Sequence, residues 1–142
     1  MRRKGMIIIV DDDADDIFIF KEIVQDLGIP NEVVSFTNAE ECYSFLCTNA
    51  REVLIIFSDI NMPGLNGIDF KRKINANPLI AKKRIPFIFN TTAASREAVR
   101  EAFVTLNADG FFIKSPVYPE FSRLVTDILN YWSATRYLDW TD

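Results

Sequence analysis

The residues of this chain that could do chemistry fall in four short runs, each directly behind an apolar run. They are Asp11-Asp12-Asp13, Ser58-Asp59-Ile60-Asn61, Asn90-Thr91-Thr92 and Lys114-Ser115-Pro116. Acids, hydroxyls and a lysine make up this set, and the sequence contains no histidine. That excludes serine–histidine–aspartate triads, histidine metal sites and service as a histidine phosphocarrier. Carboxylates brought to about 4 Å repel by roughly 4 kcal/mol per pair at an effective dielectric of 20, so three together strongly favour a divalent cation. Magnesium is the hard, oxygen-preferring candidate.

The elements that must position these runs alternate along the chain. Met6 to Val10 is a short apolar run, followed at helical spacing by Ile17, Phe20, Val24 and Leu27, with Asp13 as the cap. Glu32 to Phe36 reads as a second strand, and Asn38 with Glu41 three residues on opens a helix through Leu46. Val53 to Phe57 is apolar without alternation, as a strand covered on both faces should be. A third unit runs from Gly67 to about Ala76. Pro86 starts the run Phe87-Ile88-Phe89, and Val99, Phe103 and Leu106 mark one face of a fourth helix. Phe111 to Ile113 and a helix carrying Phe121, Leu124, Val125, Ile128 and Trp132 complete the fifth unit. Five strand–helix alternations imply an α/β fold, a doubly wound parallel sheet with helices on both faces, because parallel strands need crossover connections and these are right-handed. Ligand sites in such sheets lie beyond the carboxyl ends of the strands, where all four polar runs stand.

The combination of these motifs, in this order, resembles the receiver domain family of two-component response regulators. Its carriers are Asp11-Asp12 behind Ile9-Val10, the stretch from Asp59 to Gly67 reading DINMPGLNG, the turn Thr91-Thr92-Ala93, and Gly110-Phe111-Phe112-Ile113-Lys114. The match spans roughly Met6 to Trp132. The resemblance implies a flavodoxin-like strand order 2-1-3-4-5. It makes Asp59 the phosphoacceptor, Asp11 and Asp12 metal-site acids, Thr91 the switch hydroxyl and Lys114 the phosphoryl-binding lysine. Magnesium would take Asp12, Asp59 and the backbone carbonyl of Asn61, with Asp11 assisting through water. Asp12 and Asp59 should then lie about 3 to 5 Å apart, with Asp13 facing away as a helix cap. The implied partners are a histidine kinase or histidine phosphotransfer protein, and a target read through the fourth helix, fifth strand and fifth helix, with Thr91 and Phe111 as coupled switch. Such a protein is a regulatory phosphoacceptor rather than an enzyme, limited to self-phosphorylation from small donors and self-dephosphorylation.

Three positions depart from the family pattern. Thr92 stands where a small residue is usual and would narrow access to the acceptor; a shift of one residue would make Thr92 the switch hydroxyl instead. Phe111 lacks the hydroxyl often found at the aromatic switch position. Ser115 separates Lys114 from the proline that normally follows it, and a cis Lys114–Ser115 bond would cost about 3 kcal/mol. Taken singly, each site residue also has a plainer reading: Asp11 or Asp13 as a helix cap, Asp59 as a loop acid, Thr91 as a turn cap, Lys114 as a snorkelling surface lysine. Gly64 and Gly67 are turn glycines on any reading.

Other functions of this architecture fit less well. An aspartyl-phosphate phosphohydrolase of the haloacid dehalogenase type carries a second Asp two residues after its nucleophile, where Asn61 stands. No GxxxxGK[ST] or GxGxxG phosphate loop occurs. A receiver acting without phosphorylation is the remaining alternative. The 142 residues suit one domain, with a core over about residues 6–132 and a tail over 133–142 that carries Tyr137 and Trp140 and is placed to dock on the domain. The net charge of −4 argues against nucleic acid as main partner, since phosphate contacts need clustered Lys and Arg. With 49% hydrophobic and 25% charged residues and no apolar run long enough to cross a bilayer, a cytoplasmic protein without membrane contact is expected. The start Met1-Arg2-Arg3-Lys4 lacks a signal-peptide apolar region behind it, because Met6 to Val10 stops at the acidic triplet. Cys42 and Cys47, five apart on one helix, point to different faces and should be reduced, mostly buried thiols.

Overall fold

The computed structural model describes residues 4–93 and 95–134, and the tail residues Tyr137 and Trp140 lie outside them. Strands β1 (Met6–Val10), β2 (Val33–Phe36), β3 (Val53–Ser58), β4 (Phe87–Thr91) and β5 (Gly110–Ile113) form one sheet in the order β2-β1-β3-β4-β5. Every strand pairing is parallel. The central strands β1, β3 and β4 are buried along their whole length, which explains their unbroken apolar sequence.

Helices cover both faces. The first, α1 (Ala14–Asp26), starts at Asp13, whose side chain accepts from the N–H groups of Asp15 and Asp16. Asn38 caps α2 (Ala39–Thr48) through the N–H of Glu41, and Asn66 caps α3 (Gly67–Ala76) through that of Asp69. One core packs Ile8, Val10, Ile56, Phe87 and Phe89 against α2 and α3. The other packs Ile7, Ile9, Phe57 and Ile88 against α1 and the last helix, α6 (Tyr118–Ala134). Cys42 is buried and Cys47 exposed, so the two thiols do face apart, and the expectation of burial holds only for Cys42.

Two elements differ from expectation for identifiable reasons. A single-turn helix, α4 (Pro78–Ala81), follows α3; Asn77 caps it and Pro78 occupies its first turn, where a missing N–H is harmless. The next helix, α5 (Arg96–Arg100), runs into a wider π-helical turn over Glu101–Thr105, closed by Leu106 N–H donating to the Glu101 carbonyl. The wider turn inserts a residue and breaks the period expected for Val99, Phe103 and Leu106. Leu106 is buried as expected, but Ala102 points inward in place of Phe103, which is 45% exposed.

Candidate functional site

The acids sit one residue beyond their strands, yet their backbones remain tied into the sheet. Asp11 N–H donates to the Phe36 carbonyl at 3.0 Å, and Asp59 N–H to the Val10 carbonyl at 3.0 Å. Lys114 N–H likewise donates to the Thr91 carbonyl at 2.7 Å. Adjacent parallel strands thus end at one rim with their next side chains in fixed positions. The carboxylates of Asp11, Asp12 and Asp59 gather there, with one oxygen from each lying within 4.8 Å of the others. Asp13 is not among them and serves as the α1 cap, as expected, but it lines the same cleft as Asp12 and Asp59 rather than facing away from it.

The loop after Asp59 returns tightly on itself. Asp59 Oδ1 accepts from the N–H of Ile60 at 2.7 Å and of Asn61 at 3.4 Å, while Gly67 N–H donates to the Ile60 carbonyl. Gly64 turns with a positive φ of 73°, as a turn glycine does. Gly67 is needed for a different reason than the turn role expected of it: a Cβ there would stand 2.1 Å from the Asp59 carbonyl oxygen. Helix α3 can start against the acceptor loop only without a side chain at this position.

Lys114 completes the site from β5. Its Nζ lies 2.5 Å from Asp11 Oδ2, 2.9 Å from Asp16 Oδ2 and 3.6 Å from Asp59 Oδ2. Burial pulls the lysine toward the neutral form, but hydrogen bonds to Asp11 and Asp16 and the charges of Asp11 and Asp59 outweigh it and hold the ammonium above the usual lysine range. Burial pushes the Asp11 carboxyl above its ordinary value, opposed by Lys114 and the Asp13 N–H. The lysine therefore neutralises an acid cluster that is costly to keep charged in the interior.

Thr91 is fully buried; its hydroxyl donates to the Ala93 carbonyl at 3.0 Å and accepts from Asn61 Nδ2 at 3.3 Å. Thr92 instead lines a cleft of about 490 Å³, together with Asp12, Asp13, Ala14, Asp16, Asp59 and Asn61. Phe111 pairs in register with Phe89, two residues before the Thr91 to Ile113 pair, and its half-buried ring lies between those of Phe89 and Phe103. No cis peptide bond occurs among the described residues, so the Lys114–Ser115 link is trans. One site residue escaped the sequence reading. Asp16 looked like an ordinary acid in the first turn of α1, although one helical turn separates it from Asp12 and Asp13 and sets it over the same rim. Asn90 is buried beside Thr91, and its Oδ1 has no hydrogen-bond partner among the described residues.

The donor set fits a divalent cation, since three convergent carboxylates offer hard oxygen ligands. Comparison with known proteins agrees with the fold. The sequence profile of the response regulator receiver domain matches residues 7–126. Chemotaxis protein CheY-3 of Vibrio cholerae serotype O1 is 30% identical over 118 residues, which cover 80% of this chain and 83% of that protein. The phosphorylated cyanobacterial phytochrome response regulator RcpA superposes with a TM-score of 0.84 at 24% identity, over 98% of this chain and 99% of that one. The Mn(2+)-bound form of response regulator Rcp1 gives 0.82 at 23% identity, over 94% and 98%. Both structures are similar in fold, and the profile and the CheY-3 match carry the kinship in sequence: the chain belongs to the response regulator receiver domain family of two-component signalling.

Proposed function

We propose that this receiver accepts a phosphoryl group on Asp59 from a phosphohistidine of a partner kinase or phosphotransfer protein, with magnesium held by Asp11, Asp12 and Asp59 and the backbone carbonyl of Asn61. The observation that carries this reading is the buried Asp59, whose carboxylate is set among two further acids with the Lys114 ammonium 3.6 Å away. Asp59 Oδ1 is held by backbone N–H groups, which leaves Oδ2 as the nucleophile. Oδ2 attacks phosphorus, the P–N bond to the imidazole breaks as the P–O bond forms, and the freed imidazole nitrogen takes a proton from solvent. Bound magnesium supplies charge neutralisation between the acids and the transferring phosphoryl oxygens. Lys114 contributes a point charge to one phosphoryl oxygen. The Thr91 hydroxyl, now donating to the Ala93 carbonyl, turns to another.

Output runs through α5, the π-helical turn, β5 and α6. Val104, Ile113 and Val117 are exposed on these elements and the loop between them, and the partly exposed Phe103 ring packs against Phe111. Withdrawal of the Thr91 hydroxyl toward the phosphoryl group opens space for Phe111 to turn inward, which alters this face for a target protein. Among the described residues no helix is long and apolar enough to cross a membrane, in keeping with a cytoplasmic signalling role. The test is a phosphotransfer profile against the histidine kinases of the source organism. One kinase should pass its label to the protein within seconds and not to Asp59→Asn. Transfer to Asp59→Asn, or none from any kinase or phosphotransfer protein, overturns the reading and favours a receiver that binds without phosphorylation.

A further inference from the structure

Lys114 is shared unequally among the acids around it. An ammonium has three N–H donors. Two of them reach Asp11 Oδ2 at 2.5 Å and Asp16 Oδ2 at 2.9 Å, whereas Asp59 Oδ2, at 3.6 Å, is beyond hydrogen-bond range. Asp16 belongs to α1 rather than to a strand end, and it lines the same cleft as Asp12 and Asp59. Its neighbour Asp15 is exposed and does not line the cleft.

We infer that Asp16 is a positioning residue that holds Lys114 in reserve, away from Asp59, and releases it when a phosphoryl group arrives. This rests on the reading of Asp59 as phosphoacceptor. Nζ, tied to Asp11 and Asp16, stands 3.6 Å from Asp59 Oδ2, so to bring its third N–H onto a phosphoryl oxygen there the lysine must move toward Asp59 and loosen one of its two present bonds. Release of Asp11, 1% exposed, would strand a charge in the interior. Asp16, with 33% of its side chain exposed, can pass its charge to water at little cost. The bond to Asp16 is therefore the one that breaks. In consequence Asp16 competes with the phosphoryl group for the lysine and restrains phosphorylation.

Asp16→Asn keeps the shape and the acceptor oxygen but deletes the charge, and Asp15→Asn deletes the same charge one residue earlier without touching the lysine. The experiment compares initial rates of phosphorylation by phosphoramidate at saturating magnesium for the full chain and both variants. It also records the side-chain ammonium signal of Lys114 by heteronuclear NMR before phosphorylation. Asp16→Asn should be faster than Asp15→Asn by about two- to fivefold, the scale of one partly exposed ion pair. The Lys114 signal should shift in Asp16→Asn alone, and Asp16→Glu should return both readouts toward the native values. Equal rates for the two Asn variants, or an unmoved Lys114 signal, overturn the reserve role while leaving Asp59 as acceptor. A native protein that takes no phosphoryl group overturns the acceptor reading and the reserve role together.

Discussion

Asp11 and Lys114 each offset the cost of burying the other's charge. Asp11 is almost fully buried and its carboxyl is raised by that burial, while the lysine is held charged by the acids around it. Removal of one member of a buried pair usually costs about 3–5 kcal/mol. Lys114→Met should therefore lower the urea midpoint in the presence of EDTA, and magnesium should restore much of the loss by taking over the neutralising role. An unchanged midpoint without divalent cation would show that the acids do not depend on the lysine. At this scale Asp11, Asp12, Asp59, Thr91 and Lys114 could be picked out from sequence, because parallel strands deliver the residues just beyond them to one rim. Asp16 could not, since an acid in a first helical turn complements the helix dipole whether or not it touches anything else. Asn90 was visible as a polar residue at a strand end, but its lack of a partner depends on the packing of neighbouring elements.

The elements set the tolerances of the site. Helix α3 begins so close to the acceptor loop that any Cβ at Gly67 overlaps the Asp59 carbonyl. Gly67→Ala must push the loop or the helix away, a form of overpacking that costs about 1–3 kcal/mol. The expected outcome is a thermal midpoint several degrees lower, together with impaired uptake of a phosphoryl group because Asp59 has moved. Native stability in this variant would mean that the close approach is not fixed. The strands and the caps Asp13 and Asn38 were legible from apolar runs and N-terminal signals. The turn of α5 was not, because a π-helical turn has no distinct sequence signature and shifts the buried position from Phe103 to Ala102. Helix α4 went unread although Asn77-Pro78 is a start signal, since four residues are too few to show a period.

Over the whole molecule, the five-stranded order β2-β1-β3-β4-β5 places the acid rim at the centre of the sheet, with β5 and its exposed Ile113 at one edge. The topology was readable through the family resemblance, since alternation alone fixes a parallel sheet but not which strand lies at its edge. On the output proposed above, signal travels from β3 to β5 through β4, where Thr91 and Phe89 pair in register with Ile113 and Phe111. A shift in population along that route needs only a few kcal/mol of differential contact between two states. Beryllofluoride, bound as a phosphoryl mimic, should perturb amide NMR signals over residues 98–128 as well as around Asp59. Perturbation confined to the acid rim would remove the remote switch and leave a phosphoryl shuttle or sink. The central claim, that Asp59 takes the phosphoryl group, is tested most directly by intact-protein mass spectrometry after incubation with acetyl phosphate and magnesium. The account predicts a mass gain of one phosphoryl group, abolished by EDTA and by Asp59→Asn; the same gain in Asp59→Asn, or in the presence of EDTA, would contradict it.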